Sequence, residues 1–484
     1  MYRSAMLDNA PTFEKPTLRP SRKSRFETGP IAFALLLAAL APGAQAQGAS
    51  DHANDQDIWH RDTLTGDWDG ERTALAKQGI TFDLGYTGEV LTDVSGGVSR
   101  GSIYEGLLNL GIDADLGKLY GWNGATFHAQ VFQIHGHGPS TYHVQNLMDV
   151  SNIEAVPATR LFTLWLQQDL LDGRVSVRAG QLAADDEFVV TPSASGLING
   201  TFGWFTLGSA NLPSSGPAYP LATPGIRLKL QPTHNFALLA AAFSGDPAGN
   251  PGDEDPQRRN RHGTNFSTSG GTLWITEAQY QIGSDKGSST LPGLYRLGAW
   301  YHTGAFDDQR LDSIGGSLAA PGSSGAALQH HGDYAIYAEA DQTVWREPGT
   351  DDQGASMFLR VGTAPGNRNL VDFYADGGLR WQGLLPNRDQ DVLSLGVAYA
   401  RISGDAQALD RDTRRFSGTN VPLRDHEAVV ELNYAIQMAP WWTLQPDIQY
   451  VFHPGGNVAD PADASGIGAI PDALVVGLRT TITF

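Results

Sequence analysis

Charged residues recur at alternate positions within apolar stretches of this chain. Asp83 and Glu89, Arg174 and Arg178, Arg227 and Lys229, Glu277, Arg296, Glu339 and Asp341, Arg360, Arg380 and Glu431 are all placed this way. A period of two puts a residue and its second neighbour on one face of a β-strand and the intervening residues on the other. A face carrying these charges has to meet water. Both signs are present, so such a wall would set up a transverse field and order water, favouring polar solutes over apolar ones. The other account is that the charges pair with one another and brace the wall. Neither H-E-x-x-H nor a phosphate-binding loop occurs, although a hydrolase whose Ser and His come from different strands stays open. Asp185-Asp186-Glu187 offers adjacent carboxylates to a hard cation such as Ca²⁺, against the commoner reading of a solvated charge run. His135-Gly-His137 and His330-His331 lack a specific ligand spacing. No cofactor is implied.

The elements carrying these residues are long strands. In Ala473 to Phe484 the residues Phe484, Ile482, Leu478, Val476 and Leu474 alternate with Thr483, Thr481, Arg479 and Gly477. Ile80, Phe82, Leu84, Tyr86 and Val90 alternate in the same way with Thr81, Asp83, Thr87 and Glu89. A run of about twelve residues exceeds the usual globular strand of roughly five or six and approaches what a tilted strand needs to cross a bilayer. Sixteen such segments are expected, at 80–91, 104–116, 124–135, 160–170, 173–182, 224–231, 235–243, 272–282, 293–304, 333–346, 354–364, 373–385, 390–403, 426–438, 441–452 and 473–484. The connections alternate between short turns and long loops, the longest at 136–159, 183–223, 244–271, 305–332, 404–425 and 453–472. The fold class expected is all-β: a transmembrane antiparallel β-barrel of about 16 strands, with a short N-terminal periplasmic helix at Glu71 to Gln78. Trp122, Trp165, Trp274, Trp300, Trp345, Trp381, Trp441, Trp442 and Tyr450 lie near strand ends, where rings favour the headgroup zone.

Composition agrees. With 41% hydrophobic residues and a mean hydropathy of −0.26, no stretch after the first 46 residues is apolar for long enough to span as a helix. Alternation dilutes the hydrophobic signal in a barrel. Cys is absent, which excludes a disulfide framework. Residues 1–46 read as an export signal: Arg19, Arg22, Lys23 and Arg25, then an apolar core from Ile31 to Leu40, then Ala44-Gln45-Ala46. Residues 47–79 form an N-terminal periplasmic segment and 80–484 the barrel. Removing the signal, with six basic and three acidic residues, takes the formal charge from −19 to −22. That argues against a nucleic-acid partner and suits an outer-membrane surface.

Loop 183–223 is apolar for a solvated connection. A long loop of this kind is expected to fold inward as a constriction, with Phe202, Trp204, Phe205 and Tyr219 beside a passing solute. Sugars, with an apolar C–H face and a hydroxyl rim, match aromatic rings set among Asp, Glu and Arg. A loop packed on the wall for rigidity alone is the competing reading. The residues expected to line or constrict the pore are Glu89, Arg178, Asp186, Glu187, Arg227, Lys229, Glu339, Arg360 and Arg380.

Four stretches carry a family resemblance: Leu64-Thr-Gly-Asp-Trp-Asp-Gly-Glu-Arg72; Val177-Arg-Ala-Gly-Gln-Leu-Ala-Ala-Asp-Asp-Glu-Phe188 with Gly200-Thr-Phe-Gly203; Tyr219-Pro-Leu-Ala-Thr-Pro-Gly-Ile-Arg227; and Gln445-Pro-Asp-Ile-Gln-Tyr-Val-Phe-His-Pro-Gly-Gly456 with the final Gly477 to Phe484. Together they resemble the OprB-like carbohydrate-selective porins of Gram-negative outer membranes. Asp69 stands where that pattern expects Gly. The resemblance implies a sixteen-stranded barrel, alone or as a homotrimer, that is not an enzyme. It implies passive, facilitated diffusion of glucose and related sugars through the outer membrane, and roles for Arg178, Glu187 and Arg227 at the constriction. The alternatives are a general diffusion porin and an outer-membrane barrel enzyme such as a lipid hydrolase.

Overall fold

A computed structural model describes residues 57–249, 252, 254–283, 290–350 and 352–484. The expected export signal lies outside the described residues. Among those described, sixteen strands follow one another: β1 Ile80–Ser95, β2 Gly101–Asp115, β3 Ala125–Gly136, β4 Ala158–Leu170, β5 Val175–Leu182, β6 Thr223–Thr233, β7 Phe236–Ser244, β8 Thr272–Ile282, β9 Gly293–Asp312, β10 Ala327–Arg346, β11 Gly354–Thr363, β12 Val371–Gln382, β13 Val392–Ile402, β14 His426–Ala439, β15 Trp442–Phe452 and β16 Ala473–Thr483. Each pairs antiparallel with its neighbour in sequence, and β16 pairs with β1 to close the barrel. No helix among the described residues is long and apolar enough to cross a membrane. The crossing elements are the strands.

The period of two sorts the side chains as hydrocarbon requires. On β16, Val476 and Leu478 point outward and are exposed, while Val475 and Arg479 are buried inside. On β1, Val90 is outward and Glu89 inward, and Glu89 lies opposite Arg479 in the ladder. Leu297 on β9 and Leu359 on β11 are 65% and 55% exposed on the outer face. Trp165 and Trp300 depart from the interfacial ring expected of them. Leu166 is the exposed neighbour of Trp165, and Trp300 is buried, so both rings face inward.

β9 and β10 run twenty residues each, well past the expected ends at 304 and 333. The ladder continues through Asp307 opposite Gln329 and Phe306 opposite His330. Outside the bilayer neither strand face has to be apolar, so pairing persists where the hydropathy pattern has faded.

The segment before β1 lies at the short-turn end. α1 (Glu71–Gln78) runs between Gly70 and Gly79, both left-handed at φ 94° and 104°. Asp69, at φ 55°, takes the left-handed conformation that Gly adopts freely and Asp tolerates. The Leu64 N–H donates to the Thr483 carbonyl at 2.8 Å, and Trp441 Nε1 donates to the Ile58 carbonyl at 2.6 Å.

A cation on the outer wall tests this sorting. Leu297→Arg or Leu359→Arg is expected to cost about 2–4 kcal/mol if the site is near the bilayer midplane, read as a lower denaturation midpoint of the barrel refolded into vesicles. An unchanged midpoint for both would place those leucines away from lipid.

Candidate functional site

Between β5 and β6 the chain leaves the wall and crosses the barrel, and wall charges from four other strands receive it. Glu277 (β8) accepts from the Val189 N–H at 3.0 Å, and Asp341 (β10) from the N–H and hydroxyl of Ser193, both at 2.7 Å. Glu339 (β10) accepts from the Thr191 hydroxyl at 3.3 Å. Glu431 (β14) accepts from the N–H groups of Ile198 and Asn199, at 2.6 and 2.9 Å. Arg360 (β11) donates to the carbonyls of Val189 and Thr201, at 2.9 and 2.8 Å, and pairs with Asp376 (β12). These contacts satisfy the polar backbone of an irregular segment enclosed by protein, where water cannot do so. Phe205 packs edge-on to Tyr337 and Tyr374, and Phe202 to Phe358.

The β3–β4 connection also turns inward, which its composition does not announce. Glu427 (β14) accepts from the Leu147 and Met148 N–H groups, at 2.8 and 2.7 Å. Gln449 (β15) donates to the Val150 carbonyl at 2.8 Å. Glu89 accepts from the Ser151 hydroxyl, and Arg479 donates to Asn152 Oδ1 at 2.8 Å. The two inward segments join through Asn152 N–H to the Ile198 carbonyl and Gly200 N–H to the Asp149 carbonyl, both at 2.8 Å.

Against the β4–β6 wall, Arg178 and Arg227 face each other in the ladder. Two guanidiniums so placed repel, and Glu187 from the inward segment bridges them, 2.7 Å from Arg227 Nε and 3.5 Å from Arg178. Gln167 Oε1 accepts from both, at 3.0 and 2.9 Å. Trp165 lies under the Arg178 guanidinium, 3.9 Å from ring centroid to Cζ, and stacks on His128.

Next to Glu187 in sequence, Asp185 and Asp186 line a cavity of about 600 Å³ together with Asp149, Glu154, Trp204 and Tyr219 among others. A second, of about 450 Å³, is lined by Ser193, Asp341, Thr343 and Arg380 among others. Asp185 accepts from the Tyr219 N–H at 2.9 Å, yet enclosure by protein raises its pKa to about 6. Asp186 faces the cavity. Surrounding protein and the neighbouring Asp185 push it up to about 7 against the pull of Arg178.

The expected site residues divide by this geometry. Arg178, Asp186 and Glu187 gather at one place with Arg227, which is itself buried. Lys229 is half-buried beside a small cavity nearer the short turns, and Arg380 lines the second cavity. Glu89, Glu339 and Arg360 are buried and engaged in anchoring rather than facing an open lumen. Of the rings, Trp204 and Tyr219 line the large cavity. Phe202 and Phe205, 3% and 0% exposed, form the inward segment's own core instead of facing a solute. Asp185, Asp186 and Glu187 do not converge as ligands: Asp185 is held by Tyr219 and Glu187 by two arginines, and no metal-ligand group among the described residues includes them. Gly97-Val98-Ser99-Arg100-Gly101 has G-x-S-x-G spacing and Ser99 meets His143 at 2.9 Å, but it joins two strands, not the strand and helix of a nucleophile elbow. Sequence reasoning passed over Trp165 and His128 at the site, although both occupy inward positions of their strands.

A closed sixteen-strand barrel with loops folded across its interior is an outer-membrane porin, a channel fold rather than an enzyme fold. The sequence pattern described as "Carbohydrate-selective porin, OprB family" matches residues 99–484, and the chain belongs to that family. It is 26% identical over 473 residues to Porin B of Pseudomonas aeruginosa, covering 92% of this chain and 96% of that one. The solved high-pH structure of Pseudomonas putida OprB is similar with a TM-score of 0.79 and 27% identity, over 89% of this chain and all of that one. The corresponding low-pH structure, at 19% identity and a TM-score of 0.53 over 88% and 99%, matches in fold. The chain is a carbohydrate-selective porin of the outer membrane.

Arg360→Ala leaves Asp376 buried without its partner, a loss of about 3–5 kcal/mol for such a pair, and removes two anchors of the inward segment. Single-channel conductance is expected to rise and become noisy, and an unchanged, quiet channel would remove Arg360 from the anchoring role. The acids Asp185 and Asp186 are neutral below their raised pKa values and charged above them. Cation-over-anion permeability, from reversal potentials, is therefore expected to grow between about pH 5 and about pH 8, and to lose that rise in Asp185→Asn/Asp186→Asn.

Proposed function

We propose that this porin passes glucose and related small sugars by facilitated diffusion, with no catalysis and no energy coupling. The solute would move from the large cavity past Arg178, Asp186 and Glu187. The single observation that carries the reading is the wall cluster itself: two facing arginines, a bridging Glu187 and the Trp165 ring, next to a cavity that presents Trp204, Tyr219 and several carboxylates. With Asp186 ionised beside Glu187, two carboxylates offset the two arginines and leave little net field to attract a simple ion. They still offer donors and acceptors to hydroxyls, while the rings meet the C–H face of a pyranose. A neutral polyhydroxyl solute can exchange its water for such partners at small net cost, which passage requires: favourable enough to enter, weak enough to leave. Membership of a carbohydrate-selective family supports the same reading.

Of the expected segment 47–79, residues 57–79 act in this proposal as a periplasmic segment at the barrel base, 47–56 lying outside the described residues, and 183–223 act as the constriction. Lys229 and Arg380 line the passage below it. Glu89, Glu339 and Arg360 act on it indirectly, through the segments they hold.

Liposome swelling tests the proposal. Glucose is expected to enter faster than amino acids of equal size, and to block ion current in planar bilayers. Arg178→Ala is expected to weaken the glucose block by roughly tenfold, the effect of losing one charged hydrogen-bond partner. Equal entry of all solutes of one size would make the chain a general diffusion porin. Turnover of lipid or ester that is lost in Ser99→Ala would make it an enzyme.

A further inference from the structure

We propose that Asp425, His426 and His453, none of which lines the large cavity, form a binding site for a divalent transition-metal ion on the long-loop end of the barrel. The three residues come from the connection before β14, the first residue of β14 and the residue after β15. Asp425 Oδ1 lies 2.9 Å from His453 Nδ1 and 3.3 Å from His426 Nδ1. All three ligand atoms lie within 4.8 Å of one another, the one such group of His, Asp or Glu among the described residues. Metal–nitrogen and metal–oxygen bonds of ~2.0–2.2 Å set neighbouring ligand atoms of a tetrahedral ion ~3.3 Å apart, so two of the three edges are already near that length. Two imidazoles and one carboxylate suit Zn²⁺, Cu²⁺ or Ni²⁺ over Ca²⁺ or Mg²⁺, which take all-oxygen shells.

The surroundings hold the ligands in place. His453 adopts the left-handed conformation, φ 50° and ψ 60°, uncommon for a residue with a side chain. Its N–H is held by Asp472 Oδ1 at 2.9 Å. The Tyr399 ring stacks on His426, centroids 5.1 Å apart. The three side chains are 29–44% exposed, so an ion can reach them and water can complete its shell. Next to His426, Glu427 points inward and accepts from the N–H groups of Gly455, Leu147 and Met148. An ion outside would therefore clamp the strand ends whose inner side anchors the β3–β4 segment.

The test uses the purified full-length porin in detergent, without a histidine tag. One equivalent of Cu²⁺ is expected to give an electron paramagnetic resonance spectrum with two imidazole nitrogens, and Zn²⁺ to compete for the site. His426→Gln and His453→Asn are each expected to leave one nitrogen and weaken binding by at least ~10-fold, whereas His330→Gln changes nothing. The same affinity and nitrogen count in the double variant as in the original protein would overturn the proposal. A measurement without variants decides independently: Zn²⁺ is expected to protect His426 and His453 from diethyl pyrocarbonate, mapped by mass spectrometry. Equal modification with and without Zn²⁺ would also overturn it.

Discussion

A backbone that lies in hydrocarbon has no water to bond to, and this constraint governs the whole molecule. Every strand is satisfied by two neighbours, and the pairing of β16 with β1 removes the last open edges. Closure fixes the rest. Once the ladder is sealed, alternate side chains have no choice of side: Leu297, Leu359 and Leu478 go to lipid, and Glu89, Arg360 and Glu431 go inside.

The interior then poses the same backbone problem again. Two connections enter it with irregular stretches of main chain, and wall carboxylates take up their N–H groups. Glu427, Glu431, Glu277 and Asp341 each accept from amides of an incoming segment, and Arg360 serves its carbonyls. Hydrogen bonds with one charged partner are shorter and stronger than neutral ones. Charges inside this barrel are thus largely a docking surface for the chain's own loops. A smaller set, Arg178, Arg227 and Glu187, is paired within itself, beside Asp186 at the edge of the large cavity.

The ladder is legible in the sequence because it follows from a local pattern. All sixteen strands lie near the positions that alternation predicts, and the sequence of short and long connections marks the two ends. Family-bearing stretches such as Val177 to Phe188 locate Arg178 and Glu187. What cannot be read is the partner of each inward charge. Glu339 and Arg360 share the alternation of Arg178, and they differ only in meeting residues about 150 to 170 positions away. Phe202 and Phe205 look like rings for a solute because nothing local says that Tyr337, Tyr374 and Phe358 are waiting to enclose them. The outer reach of the β9–β10 hairpin escapes notice for the opposite reason: in water the pattern carries no information, while the ladder goes on.

The tie between Asn152 and Ile198, with its companion between Gly200 and Asp149, lies entirely outside the strand ladder. The two inward segments are therefore tied to each other as well as to the wall that holds them. A shift in either segment is therefore passed to the other through these two amides, and to the strands through Glu427 and Glu431.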